Sequence, residues 1–361
     1  MSSIAVNMMV LNGASVLRRC LLPLKDIVTE VVIIDTGSTD DTLEAAVSTC
    51  HDIGAILKYT VLDVHSDDFF TDEAASFKLP MPGPFTGRRI PRDWAAVRNR
   101  AAALTTADYV LKLDADDEVT SPPENLTRTA AFLDTRPSIS FVSTPYEICE
   151  KGSVVKVENY DRLFRRAGMR WQMPCHEYVA GKTFNNVIYS ASGLRVRDWR
   201  DSQGEGARIA HRNLKVLLYD WEHGERKTIS EAQDRANYDV FRFTLAHEAA
   251  LVFPDFAMEL LNRVIANSDP SDKRTRSDCL YHMGRALEAQ GLYQESMWKY
   301  EAAHKEAPHL QALLKLCFLK AALGDGEKCR ELRAKVAELA PEGRIPLNCD
   351  LKLLEQVRAT M

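Results

Sequence analysis

Two rhythms of hydrophobic and polar positions alternate along the first third of the chain. Short apolar runs, "IAVNMMVLN" (4–12), "EVVIID" (30–35), "AILKYTVLDV" (55–64) and "DYVLKL" (108–113), have the length and composition of strands. "EVVIID" is apolar almost throughout, the pattern of a strand buried on both faces. Between these runs the spacing turns helical. "ASVLRRCLLPLKDIV" (14–28) reads as a helix broken near Pro23, and "RDWAAVRNRAAALTT" (92–106) as a longer one. "TGSTDDTLEAAVSTC" (36–50) opens a third helix: Gly37 permits the turn, and Asp41 with Glu44 fits a capping box. The resulting β-α-β-α-β order predicts an α/β fold, a mostly parallel sheet with helices on both faces.

The pattern then changes twice. Residues 69–93 carry too much Pro and Gly for a long regular element. From about 138 to 200 short β-like runs predict a mixed, partly antiparallel extension of the same domain, including "SISFVSTPYEIC" and "SVVKVENYDRLFRR". Helices start at "GEGARIAHRNLKVLLYDWEHGE" and continue almost to the end. The last third repeats: Gly291 and Pro308 recur 33 residues later as Gly324 and Pro341. Gly284, Tyr293, Ser296, Tyr300 and Ala303 sit at the offsets of a tetratricopeptide unit, whose period is close to 34 residues. "LAHEAALVFPDFAMELLNRVIANS" (245–268) reads as a degenerate earlier copy, so a short helical solenoid is expected. The expected boundaries are an α/β domain over 1–215, a connecting helix over 216–240 and a helical-repeat domain over 241–361. The repeats offer a surface for a protein partner or a homodimer, or are simply a packing module.

Composition narrows this picture. A chain of 361 residues is too long for one small core. A net charge of -5 gives no global attraction to nucleic acid or anionic lipid. The eight cysteines include no C-x-x-C pair, which points to thiols in a reducing compartment. The N-terminus lacks the basic region of a signal peptide, and no run approaches the ~20 apolar residues that span a bilayer. No transmembrane segment and a cytoplasmic location are therefore expected.

The chemistry concentrates after "DYVLKL". Asp114, Asp116, Asp117 and Glu118 follow that strand within five positions. Ligands of open α/β sheets bind beyond the carboxyl ends of the strands, where Asp35 also stands. Crowded carboxylates repel unless a cation reverses the sign. Oxygen ligands without a Cys or His motif suit Mg²⁺ or Mn²⁺, which in turn wants an anionic ligand such as a diphosphate. The plainer reading is a solvated acidic loop ahead of a helix stop at Pro122-Pro123, and at least one of the four acids is expected to be merely solvated.

In order along the chain, "VVIIDTGSTDDT", "AAVRNRAAALTTADYVLKLDADDEV", "YDRLFRRAGMRWQMPCHEYV" and "RNLKVLL" resemble the family 2 glycosyltransferases with the GT-A fold, in a bacterial branch with tetratricopeptide-like repeats after the catalytic domain. The resemblance spans most of residues 4–340. It implies an inverting hexosyltransferase that takes a UDP-sugar as donor and uses Mn²⁺ or Mg²⁺. Asp35 would hold the uracil or ribose, Asp40 the nucleotide loop, and Arg98 the nucleotide or diphosphate, with Asn99 fixing the loop. Asp114 and Asp116 would be the D-x-D pair, Asp116 in direct metal contact. Glu177 would be the general base, with His176 beside it. On residue type alone, Asp40 equally caps a helix, Arg98 equally sits on the surface, and His176 equally packs in the core. Where that branch often carries I-x-H-x-G-Y, this chain reads "VRDWRD", so Asp198 takes the place of a metal-binding His, and His211 is a second candidate.

Other readings stay open. A nucleotidyltransferase would need a Gly-rich loop after the first strand, and "LNGASVLRRC" has a single glycine. A catalytically inactive scaffold binding a partner through its repeats is the main alternative. The acceptor is expected to be a glycan or lipopolysaccharide, a peptide side chain, or a modified nucleic-acid base. Lys78, Arg88, Arg89 and Arg92 in the 69–93 segment would suit an anionic one, or the segment is a solvated insertion.

Overall fold

The computed structural model describes residues 2–66, 70–72, 89–150, 152–180, 186–188, 193–198, 205–223, 235–341, 346 and 349–359. Two compact units emerge, parting after Gln203. The first contains β1 (Ile4–Val10), α1 (Leu17–Leu21), β2 (Glu30–Asp35), α2 (Thr42–Ile53), β3 (Ile56–Val61), β4 (Phe70–Asp72), β5 (Arg89–Pro91) and α3 (Trp94–Leu104). It continues with β6 (Tyr109–Lys112), β7 (Asp117–Val119), α4 (Glu124–Asp134), β8 (Phe141–Glu150), β9 (Ser153–Arg165), β10 (Arg170–Gln172), β11 (Tyr178–Ala180), β12 (Asn186–Ile188) and β13 (Val196–Asp198).

The main sheet runs β3-β2-β1-β6-β9-β8-β13-β7. Its first four strands are parallel, and β9 joins β6 antiparallel, so the sheet is parallel on one side and mixed on the other. This matches the expected α/β unit followed by helices. β2 is buried along its whole length because both faces are covered. Strand period two sends Val31 and Ile33 to the core shared with α1, α2 and α4, and Val32 and Ile34 to the core shared with Val97 and Ala101 of α3. The carboxyl ends of β1, β2 and β6 are thus left as the open rim. As read from Pro23, α1 ends at Leu21 and passes into a short 3₁₀ turn, Leu22–Leu24.

Two local expectations fail. Asp41 precedes α2 but makes no side-chain cap bond: its backbone (φ −77°, ψ 33°) is not the extended one that aims a cap at the first turn. Asp40 instead accepts from the Thr42 hydroxyl and from the Ala14 amide (3.1 Å). Pro122-Pro123 starts helix α4 rather than stopping one, since Pro supplies helical φ at a first turn where its missing N–H costs nothing. In the 69–93 segment, β4 and β5 form a short antiparallel pair. Lys78, Arg88 and the rest of 73–88 lie outside the described residues.

The second unit is helical: α5 (Glu205–His223), α6 (Arg235–Ala249), α7 (Pro254–Asn267), α8 (Lys273–Ala289), α9 (Tyr293–Glu306), α10 (Leu310–Ala322), α11 (Gly326–Leu339) and α12 (Leu351–Ala359). α5 runs across position 215 and groups with this unit. Tyr300 of α9 is fully buried against α8, where a Cβ on Gly284 would lie 2.5 Å from its ring, so the small residue sets how closely the pair packs. The phenol donates to Glu288 (2.7 Å), which also meets Lys315 of α10 (2.9 Å). None of the eight cysteines forms a disulfide, and all are buried. Among the described residues no helix is long and apolar enough to cross a membrane.

Candidate active site

Two carboxylate corners stand on the rim of the first unit. At the end of β2, Asp35 is 3% exposed. Its Oδ1 accepts from the amides of Gly37 (2.8 Å) and Ser38 (2.7 Å), and its Oδ2 from the Tyr59 phenol. Burial and this carboxylate push the Tyr59 phenol well above its usual range, so it stays a donor. Across the loop, Asn12 accepts from the Thr39 amide (2.8 Å) and Ser38 from the Asn12 amide (2.8 Å). The loop 36–40 is thereby laid over the end of β1.

The second corner follows β6. Period-two alternation puts Lys112 and Asp114 on the same side of the strand's path. Arg98, 5% exposed and so not a surface charge, donates from Nη2 to Asp114 (2.9 Å) and from Nε to Glu177. Lys112 Nζ lies 3.5 Å from the same Glu177 oxygen. Both cations flank the Trp171 ring, at 5.5 and 5.3 Å from its centroid. Asn99 clamps Trp171 by its main chain, accepting from its N–H (2.9 Å) and donating to its carbonyl (3.0 Å). Burial alone would raise the Glu177 carboxyl, but Lys112 and Arg98 outweigh it and bring it down to about 2. Asp114 is likewise held well below the usual carboxylate range by Arg98 and Lys112 against the effect of burial, although its side chain is 40% exposed.

The expected acids separate into different environments. Asp116 is half-buried beside the rim, while Asp117 is fully buried rather than solvated. Asp198 is 2% exposed and sits directly opposite Asp117 in the β7–β13 ladder. Among the described residues no three His, Cys, Asp or Glu side chains group as a metal cage. The structure therefore does not join Asp198 to Asp114 and Asp116 as a third ligand. His211 lies in α5, and its surroundings fall outside the described residues. A hard divalent ion still fits Asp114 and Asp116, because Mg²⁺-type sites commonly take one or two carboxylates and complete their shell with water and substrate phosphate.

The segment after Trp171 has an unusual backbone. Met173 (φ 77°) and His176 (φ 56°) are both left-handed, a conformation that costs non-glycine residues energy and clusters at working sites. The Pro174 carbonyl accepts from the Trp94 amide (2.9 Å), tying this segment to the start of α3. Glu177 faces inward here, His176 is exposed, and Cys175 is buried.

Reading residue types missed Lys112, Trp171, Arg162 and Tyr59. Lys112 was accessible from its two-residue spacing to Asp114. Trp171 and Arg162 lay inside quoted segments, but their partners are far away in sequence.

Residues 57–197 match the family model "Glycosyl transferase family 2". A TPR repeat-containing protein of Synechococcus elongatus is 32% identical over 180 residues, covering 50% of this chain and 36% of that protein. The chain thus spans about a third of the length of that curated relative. Among solved structures, S. aureus TarS overlaps 94% of this chain and 55% of its own at 13% identity, with a TM-score of 0.36. The glucosyl-3-phosphoglycerate synthase of Mycobacterium tuberculosis, solved with Mn²⁺, UDP and glucosyl-3-phosphoglycerate, overlaps 40% of this chain and 44% of its own at 23% identity, with a TM-score of 0.26. The likeness to family 2 glycosyl transferases is carried by residues 57–197.

Proposed function

We propose that the first unit transfers a sugar from a UDP-sugar to a hydroxyl or thiol acceptor with inversion at the sugar carbon. The observation that carries this reading is the Arg98 guanidinium, which bridges Asp114 at the end of β6 and Glu177. Asp35 and the loop pinned by Asn12 and Asp40 take the nucleoside. Asp114 and Asp116 hold Mn²⁺ or Mg²⁺ together with the diphosphate. When bound, the ion supplies positive charge to the leaving diphosphate. Arg98 and Lys112, held against Trp171 and oriented by Asn99, turn to the diphosphate oxygens. Glu177 then loses the two cations that depress it, becomes more basic, and takes the acceptor proton. His176, exposed on its left-handed turn, flanks the acceptor. The acceptor is a glycan, a peptide side chain or a modified base, with Arg89 and Arg92 beside its entry.

Calorimetric titration with UDP, with and without Mn²⁺, tests the reading. Binding that requires Mn²⁺, and UDP release from a UDP-sugar that Asp116→Ala reduces about 100-fold or more, are the expected results. A folded chain that binds no UDP in the presence of Mn²⁺ would overturn it.

A further inference from the structure

Asp117 is the one acid of the cluster with no face to solvent: it is 0% exposed. It closes a four-residue turn twice. Its amide donates to the Asp114 carbonyl (3.0 Å), and its Oδ2 accepts from the Asp114 amide (2.9 Å). The same oxygen accepts from Arg162 of β9 (2.8 Å), and Oδ1 accepts from the Tyr146 hydroxyl of β8 (2.8 Å). Arg162 Nη1 also donates to the Lys112 carbonyl (3.1 Å) and its guanidinium packs against the Tyr146 ring (4.3 Å). The turn that displays Asp114 and Asp116 is therefore fastened at both ends to the β8–β9 hairpin. Three donors fill the Asp117 carboxylate from inside the protein, so its oxygens are committed away from any ligand on the rim.

We propose that Asp117 is a positioning residue, a buried post that, with Arg162 and Tyr146, fixes the Asp114–Asp116 turn in the shape that receives the donor's diphosphate and its ion. The proposal rests on the glycosyl transfer reading but names a different part of it. Preorganised acids bind a ligand without first ordering themselves. Loosening the post should weaken donor binding even though no atom of the post touches the donor.

The test uses the full chain with Asp117→Asn and, because that variant leaves Arg162 buried opposite a neutral partner and can fail to fold, Tyr146→Phe as well. Amide hydrogen exchange over residues 113–118 reads the turn without ligand, and calorimetry with UDP plus Mn²⁺ reads the function. For folded Tyr146→Phe we expect faster exchange confined to 113–118 and UDP–Mn²⁺ affinity reduced about 5-fold, the equivalent of one hydrogen bond of ~1 kcal/mol. Unchanged exchange would overturn the proposal. So would faster exchange with unchanged affinity, because the post would then be structural alone. In both of those cases the wild type still binds UDP. A wild type that fails to bind UDP and Mn²⁺ removes the glycosyl transfer reading, and the post's role in it, together.

Discussion

Asp35 and Asp114 both stand beyond parallel strands on the same rim, yet they are held by opposite means. Asp35 is satisfied by its own neighbourhood, with two amides from the next three residues and a phenol from the adjacent strand. Asp114 depends on distant segments: Arg98 on α3, and through Asp117 the hairpin residues Arg162 and Tyr146. The first corner is a rigid cradle built from main-chain donors. The second is a balanced charge network in which cations stand where a ligand's ion is proposed to act. A cradle suits a part of the ligand that does not change, such as a nucleoside. A network that can exchange partners suits the part where charge develops.

The largest test of this contrast is Arg162→Met. Arg162 and Asp117 are 1% and 0% exposed, so the substitution leaves a buried carboxylate without its cation, a change that costs about 3–5 kcal/mol. Urea unfolding at pH 7.5 should show it. Burial already pushes the Asp117 carboxyl up against the pull of Arg162. Without Arg162 the folded form will take up a proton, while the unfolded form titrates near the ordinary ~3.9. Stability is then lost as pH rises above that unfolded value, so the variant's deficit should shrink between pH 7.5 and pH 5. A deficit below ~1 kcal/mol at pH 7.5 would show that the second corner does not depend on its distant partners.

The next largest effect is expected at the first corner, from Gly37→Ala. Gly37 has φ 104°, and a Cβ there would lie 2.4 Å from Val64 Cγ1. Left-handed strain of ~1–2 kcal/mol and overpacking of ~1–3 kcal/mol add to about 2–5 kcal/mol. Because the Gly37 amide is an Asp35 donor, UDP affinity should fall with stability. Loss of UDP affinity at Gly37→Ala without any change at Tyr146→Phe would assign all ligand contacts to the cradle and break the division of labour.

The contrast also explains what the sequence made legible. "EVVIIDTGS" contains the Asp35 corner almost entire, with strand, acid and turn glycine in one window, so local pattern was enough. The strands and helices flanking the sheet were legible for the same reason, since periodicity is local. The second corner joins positions 79 apart (Arg98 to Glu177), 45 apart (Asp117 to Arg162) and 29 apart (Asp117 to Tyr146). No spacing rule reaches that far, and an acidic run looks equally solvated or clamped until burial is known. Asp117 reads no differently from its acidic neighbours in the sequence, and Asp198 reads as a stand-in for a metal-binding histidine, with nothing local to show the ladder that buries it. The Asp41 cap failed at shorter range: the capping pattern matched, but the backbone angle that aims a cap is set by the loop pinned to β1.

The smallest effect should come from Tyr59→Phe. The ring stays, and Asp35 keeps both main-chain donors, so the loss is one hydrogen bond to a charged acceptor, ~1.5–3 kcal/mol before any compensation. Since β3 is the edge strand, water can reach the vacated position and offset part of that. Tyr59→Phe should therefore lower the urea midpoint slightly, leave the slope of the transition unchanged and weaken UDP binding less than 10-fold. A loss as large as that of Arg162→Met would mean that Asp35, too, relies on a single side-chain partner, and the two corners would then be variants of one device instead of a cradle and a network.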